Sequence, residues 1–285
     1  MSNKTNQPEG TMLVEIFGTR GSIAVAAQGF LEFGGNTACV CVTFGDDQLV
    51  ILDAGTGIRS VNNKLADAKF QIPAKIFLGL SHTHWDHIQG FPYFKPAYDP
   101  LYQIEIALSS HGKRVSELQD TLARALNYSY FPVPLEKMGA HFSYHILEDL
   151  DYTLDNGAVI SAIAHQHPGG ACSYRIEYNG HSMVYATDVE HDPGIDLNLV
   201  KFCQGADLLI HDAHYTEEEL KQKRGWGHSS WVQAIEVARL ANVGELLLFH
   251  HDPDHDDKFL AELELKSQAQ FQHCRMAREG MSIIL

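Results

Sequence analysis

The sequence predicts a single α+β domain, and three observations lead there. Apolar β-rich runs open the chain, helical and strand patterns alternate in its second half, and no linker, repeat or low-complexity tract divides it. Residues 1–10 are polar and are expected to be a flexible N-terminus, leaving 11–285 as the domain. Residues 12–17 read as a first strand, followed by the glycine-punctuated Gly18-Thr19-Arg20-Gly21-Ser22. Two β-rich runs, 38–44 and 48–52, flank Gly45-Asp46-Asp47 as a hairpin would. Residues 57–68 have a helical pattern, and 74–80 form an apolar strand that runs straight into Ser81-His82. The stretch 91–150 reads as an irregular insertion with one helix, 114–126, between flanks rich in Tyr, Phe and Pro. Strands resume at 159–164, 174–178 and 181–186, the last two joined by Asn179-Gly180. A strand at 206–210, a helix at 229–240, a strand at 245–249, a helix at 258–275 and a strand at 282–285 complete the chain.

Composition narrows the function. Of 285 residues, 36 are acidic and 21 are Lys or Arg, a formal charge of −15. Such an excess repels polyanions at long range, so no extended nucleic-acid surface is expected. A small phosphate ester remains compatible, because bound cations reverse the sign locally. The five cysteines (Cys39, Cys41, Cys172, Cys203 and Cys274) form no zinc-ribbon or disulfide pattern, which favours a reducing cytoplasm. The polar start lacks a signal-peptide core, and no apolar run approaches a membrane span. The aromatic flanks of the insertion leave room for a homodimer.

Several strands end in metal-ligand types. Ser81-His82, His167, Thr187-Asp188, His211-Asp212 and His250 all follow apolar strands, so they should converge on one rim. The densest cluster is His82-Thr83-His84-Trp85-Asp86-His87. In extended chain, residues two apart point the same way, so His82 and His84 can hold one ion while Asp86 and His87 face a second. A solvated histidine-rich loop is the bland alternative. His167 could complete the first set, with His165 as its competitor on the same face. Asp188 at the end of a buried strand would be costly unpaired, and bridging two cations resolves that cost; a helix cap or salt bridge would too. His250 suits the second ion, and the adjacent His251 would point the other way. The acidic stretch 252–257 reads as a helix start rather than a further metal site.

The ordered set His82-x-His84-x-Asp86-His87, His167, Asp188 and His250 resembles the metallo-β-lactamase fold superfamily, over nearly the whole chain. That resemblance implies an αβ/βα sandwich, two packed mixed sheets flanked by helices, with two divalent metal ions at one edge. It makes Asp53, in Leu52-Asp53-Ala54-Gly55-Thr56-Gly57, a carboxylate that orients a ligand histidine. Gly18-Thr19-Arg20-Gly21-Ser22 and Gly34-Gly35-Asn36-Thr37 are similar to the phosphodiesterase branch, which holds transfer-RNA 3′-processing nucleases and cyclic phosphodiesterases. His211-Asp212-Ala213-His214 and Gly227-His228-Ser229-Ser230 resemble segments that give the nucleases a proton-donating acid–histidine pair. The resemblance carries that role to Asp212 and His228; a position just before a helix cap is the plainer reading of His228. No glycine- and proline-rich basic arm is present, no cysteine stands at a ligand position, and no basic segment near the C-terminus suits glutathione.

The expectation is therefore a hydrolase that cleaves a small cyclic or nucleotide-like phosphodiester. Its nucleophile would be a metal-activated hydroxide. Asp86, Asp212 and His228 are the candidate catalytic residues, Asp86 doubling as a ligand. Zinc fits the ligand types, and manganese or iron would be accepted. A hydrolase of lactones, β-lactams or thioesters on the same scaffold is the first alternative, and a non-hydrolytic metal-binding protein the second.

Overall fold

The computed structural model describes residues 10–45, 48–67, 74–109, 115–147 and 151–285. The first half of the chain lays down β1 (Leu13–Gly18), β2 (Cys39–Thr43), β3 (Gln48–Leu52), helix α1 (Ile58–Asp67) and β4 (Ala74–Leu80). A single-turn helix α2 (Trp85–Ile88) and two short 3-10 turns lead to β5 (Tyr102–Ser109), α3 (Val115–Ala125) and β6 (His141–Leu147). The second half adds β7 (Tyr152–Thr153), β8 (Val159–His165), β9 (Ala171–Tyr178), β10 (His181–Ala186), α4 (Leu197–Phe202) and β11 (Leu208–Asp212). Then follow α5 (Glu217–Gln222), α6 (Trp231–Leu240), β12 (Glu245–Phe249), α7 (Asp257–Gln270), β13 (Cys274–Met276) and β14 (Ser282–Ile284).

These strands form two seven-stranded mixed sheets, ordered β14-β1-β2-β3-β4-β5-β6 and β13-β12-β11-β10-β9-β8-β7. Period-two alternation divides the second sheet's side chains between two apolar layers. Leu208, Ile210, Leu247 and Phe249 enter the core between the sheets. Leu209, Leu246 and Leu248 pack with Ala234, Ile235 and Ala238 of α6 and Leu260 and Leu263 of α7. Strands buried on both faces need unbroken apolar runs, which is why Leu246-Leu247-Leu248-Phe249 is not alternating. The architecture is the expected sandwich of two sheets flanked by helices.

Three differences from the sequence reading stand out. The stretch 91–150 is not merely irregular: β5 and β6 extend the first sheet in parallel from β4. The last long helix stops at Gln270, and the chain then pairs as β13 with β12. The short helices α4 and α5 and the two-residue β7 carried too little periodicity to be seen. The expected flexible N-terminus and the centre of the 45–47 turn lie outside the described residues.

The topology places the chemistry. β10, β11 and β12 run parallel and in register, Tyr185 opposite Ile210 and Ile210 opposite Leu247. Their C-terminal ends thus release Asp188, Asp212 and His250 on one edge. β3 and β4, also parallel, release Asp53 and Ser81-His82 in the same manner.

Candidate metal centre

Each cluster is assembled from local geometry. His84 is extended (φ −64°, ψ 156°), so its ring lies beside that of His82, with centroids 4.4 Å apart. Asp86 and His87 enter the turn of α2 and project elsewhere. His167, two residues past β8, brings its Nε2 to 3.1 Å from His84 Nδ1. The second group joins Asp86, His87 and His250. His87 Nε2 and His250 Nε2 are 3.3 Å apart, and each is 3.3 Å from Asp86 Oδ2. Asp188 faces both groups at once. Its Oδ1 is 3.8 Å from the Nε2 atoms of His82 and His167, and its Oδ2 is 3.1 and 3.2 Å from those of His87 and His250.

These residues fit cations. Ligand atoms about 2 Å from a tetrahedral zinc ion lie roughly 3.3 Å from one another, close to the spacing within each group. His82 Nε2 is buried without a hydrogen-bond partner, a cost that a cation at that position removes. Burial keeps His82, His84 and His167 below the ordinary histidine range, in the neutral form that ligates. Burial opposes the charge on Asp188, yet His250, His87 and His82 hold it well below the usual carboxylate range. His87 departs in the other direction: burial would lower it, and Asp86, Asp188 and Asp53 overcome this and raise it. Three carboxylates around one imidazole draw in positive charge, whether proton or metal.

The alternatives left open by the sequence resolve geometrically. His165 is buried with neither ring nitrogen hydrogen-bonded, and it joins none of the histidine–carboxylate groups found among the described residues. His251 points away, its Nε2 donating to the Ala277 carbonyl at 2.9 Å. Its neighbour His250 adopts a left-handed φ of 61°, as do Asp188 (56°) and Asp53 (62°). Non-glycine residues held in this region store strain, and here it coincides with the polar cluster.

The surrounding hydrogen bonds fix the rings. Asp53 Oδ2 accepts from His87 Nδ1 at 2.7 Å and from the Tyr185 hydroxyl at 2.8 Å, and Oδ1 accepts from Ser81 N at 2.7 Å. His167 Nδ1 donates to the Gly227 carbonyl at 2.8 Å. Gly227 has φ 89°, and a Cβ there would lie 2.2 Å from His167 Nδ1. The sequence marks the Gly227 segment but not this role. It also misses Glu190, whose buried carboxylate accepts from the backbone N–H groups of Gly225 and Gly227. No sequence pattern marked Glu190, since only the folded loop brings those amides to it.

Beside the cluster stands the expected acid–histidine pair. His228 Nδ1 donates to Asp212 Oδ2 at 2.9 Å, leaving Nε2 as the nitrogen able to give a proton. Asp212 also accepts from the backbone of Asp188, His214 and Ser229. Burial lowers the His228 pKa, and Asp212, aided by Asp188 and Asp86, raises it to about 9. His228 is no helix cap: Ser230 caps α6 through a capping box with Gln233. His214 stacks on His228 with centroids 4.3 Å apart and donates Nδ1–H to the His250 carbonyl at 2.7 Å. Asp256 caps α7, so the acidic stretch is a helix start.

A family model described as a beta-lactamase superfamily domain matches residues 49–251, which span the strands and loops just described. The chain belongs to this superfamily. It is 24% identical over 258 residues to a ribonuclease Z of Sulfurisphaera tokodaii, covering 80% of this chain and 85% of that one. Among solved structures, the metallo-beta-lactamase fold protein YhfI from Bacillus subtilis matches with a TM-score of 0.71 at 20% identity, over 97% of this chain and all of that one. Human tRNase Z, short form, matches with a TM-score of 0.64 at 20% identity, over 95% and 98%. The chain is a metal-dependent hydrolase of this superfamily, and it is similar to members named ribonuclease Z. One expectation is overturned. The absence of an extended nucleic-acid surface conflicts with relatives named ribonuclease Z, enzymes of RNA. The formal charge averaged over the whole molecule was the wrong quantity, since polyanion contact depends on the charge near the site.

Proposed function

We propose that this chain is a binuclear phosphodiesterase. His82, His84 and His167 would hold one divalent cation, Asp86, His87 and His250 a second, and Asp188 would face both. Two such ions, when bound, supply a nucleophile at neutral pH and polarise the phosphoryl group. Zinc suits the imidazole and carboxylate donors, and manganese or iron is compatible. The observation that carries the phosphodiester reading is the Asp212–His228 pair at 2.9 Å beside the cluster. Ester cleavage at phosphorus expels an alkoxide, which needs a proton. His228 Nε2 gives that proton as the ester bond breaks, Asp212 holds the ring, and water adds to phosphorus. Thioester hydrolysis, whose thiolate leaving group has far less need of a proton, would leave this pair with less to do.

Ribonuclease Z relatives support RNA as the diester. A small cyclic or nucleotide-like diester is a second reading, since the same acid–histidine pair would serve any alkoxide leaving group. The five buried thiols suit a reducing cytoplasm.

The test is turnover of bis(p-nitrophenyl) phosphate by metal-analysed protein, followed by 3′-extended RNA against cyclic nucleotides. Metal-dependent hydrolysis lost in Asp188→Ala supports the proposal. No turnover with about two cations per chain overturns the phosphodiester assignment and directs the search to lactones and thioesters.

A further inference from the structure

Two tryptophans stand exposed on segments that adjoin the candidate metal centre. Trp85 lies between His84 and Asp86 and is 54% exposed; Trp226 lies between Gly225 and Gly227 and is 63% exposed. The third, Trp231, is buried at 7%. Single exposed apolar side chains are ordinary, and what sets these two apart is that each is borne on a fixed segment adjoining the cluster.

Both segments are fixed. Trp85 begins α2, whose next two residues, Asp86 and His87, are tied into the cluster; the Ser22 N–H donates to Asp86 Oδ2 at 2.8 Å. The Trp226 turn is held from beneath by Glu190, which accepts the N–H groups of both flanking glycines. Gly225 and Gly227 adopt φ of 82° and 89°, a pair of left-handed residues that turn the segment at the tryptophan. The Gly227 carbonyl accepts from His167 Nδ1, and His167 Nε2 lies 3.1 Å from His84 Nδ1, next to Trp85. The two indoles thus belong to segments that meet at His167. Arg224, 70% exposed, adjoins the second turn and forms a 3.8 Å surface ion pair with Asp192.

We infer that Trp85 and Trp226 form a stacking platform for the nucleobases that flank the scissile diester. This rests on the phosphodiesterase reading and specifies its substrate as base-bearing. Stacking on the uncharged face of a base adds binding that needs no basic side chain. Every base has such a face, so the platform selects nucleotides over other diesters without selecting a sequence.

Two measurements test this. In the first, protein as isolated is titrated with AMP and with ribose 5-phosphate while tryptophan fluorescence is read. AMP should quench and ribose 5-phosphate should not, and the quenching should vanish in the double variant Trp85→Phe, Trp226→Phe, where Trp231 alone emits. Equal response to both ligands, or quenching that survives in the double variant, overturns the inference. In the second, kcat/KM is compared for thymidine 5′-(p-nitrophenyl phosphate) and methyl p-nitrophenyl phosphate, and the ratio is the readout. Trp226→Ala should lower that ratio by about tenfold, and Trp226→Phe should restore most of it. A ratio within twofold of the parent's overturns the platform while leaving phosphodiester hydrolysis standing. Absence of turnover on both esters removes the phosphodiesterase reading, and AMP quenching then judges the platform alone.

Discussion

The two sheets furnish the cluster in different ways. The first contributes His82, His84, Asp86 and His87 from a single six-residue turn after β4. The second contributes His167, Asp188, Asp212, His228 and His250, each from a separate segment, with Asp188, Asp212 and His250 aligned by the register of β10, β11 and β12. Chain spacing therefore orients one half and tertiary structure orients the other. The half built by spacing rests on its ligands and on Asp53, which holds the His87 ring. A half built by register depends also on residues that touch no cation, such as Gly227 and Asp212.

Substitutions can break this contrast at several depths. Asp188→Ala should have the largest effect, because both groups face that carboxylate; kcat/KM should drop on the order of 10³-fold or more, with loss of bound metal by elemental analysis. His228→Ala should retain metal yet slow diesters with alkoxide leaving groups by 10²-fold or more. The same variant should lose much less on p-nitrophenyl esters, whose leaving group needs no proton. Equal losses on both would remove His228 as the acid. Asp53→Asn, acting on the spacing-built half through His87, should weaken metal affinity by roughly 10- to 100-fold. Gly227→Ala, acting on the other half by crowding His167, should weaken one of two cations by about tenfold in a competition titration. If Gly227→Ala weakens both cations equally, the division between the halves fails.

A last expected effect concerns acid stability rather than the cations. Burial and the neighbouring His211 lower His191 to about 3, against about 6.5 when unfolded. Between those values the unfolded chain binds the extra proton, so stability is lost as pH falls below about 6.5. At pH 5 the loss from this group is about 2 kcal/mol. His191→Gln should therefore flatten the fall of Tm between pH 7 and 5, and an unchanged slope would exclude this contribution.

Much of the site was legible because its chemistry is local. Alternation within His82-Thr83-His84 and the polar residues after apolar strands required no tertiary knowledge. The choice between His250 and His251 did require it, since adjacent residues point apart and only the left-handed turn at His250 decides which ring enters the cluster. β5 and β6 were hidden by the aromatic and proline-rich segments around them, which mask short strand periods. The fold as a whole was legible from the ordered ligand set rather than from any single element. Nucleic-acid contact was misjudged because a summed charge says nothing of where the acids lie.

The position of Asp188 between the two groups has a mechanical consequence. Each three-residue group takes two members from the first sheet and one from the second, so a cation in either group would act as a rivet through the seam between the layers. Occupied, the rivets would stop the sheets sliding past each other at the rim that carries the chemistry. Stripped by a chelator, that rim would be the first place for the layers to part, with each sheet's own ladder of hydrogen bonds intact. Hydrogen exchange in β4, β10 and β12 would then report cation occupancy in a protein whose secondary structure has not changed.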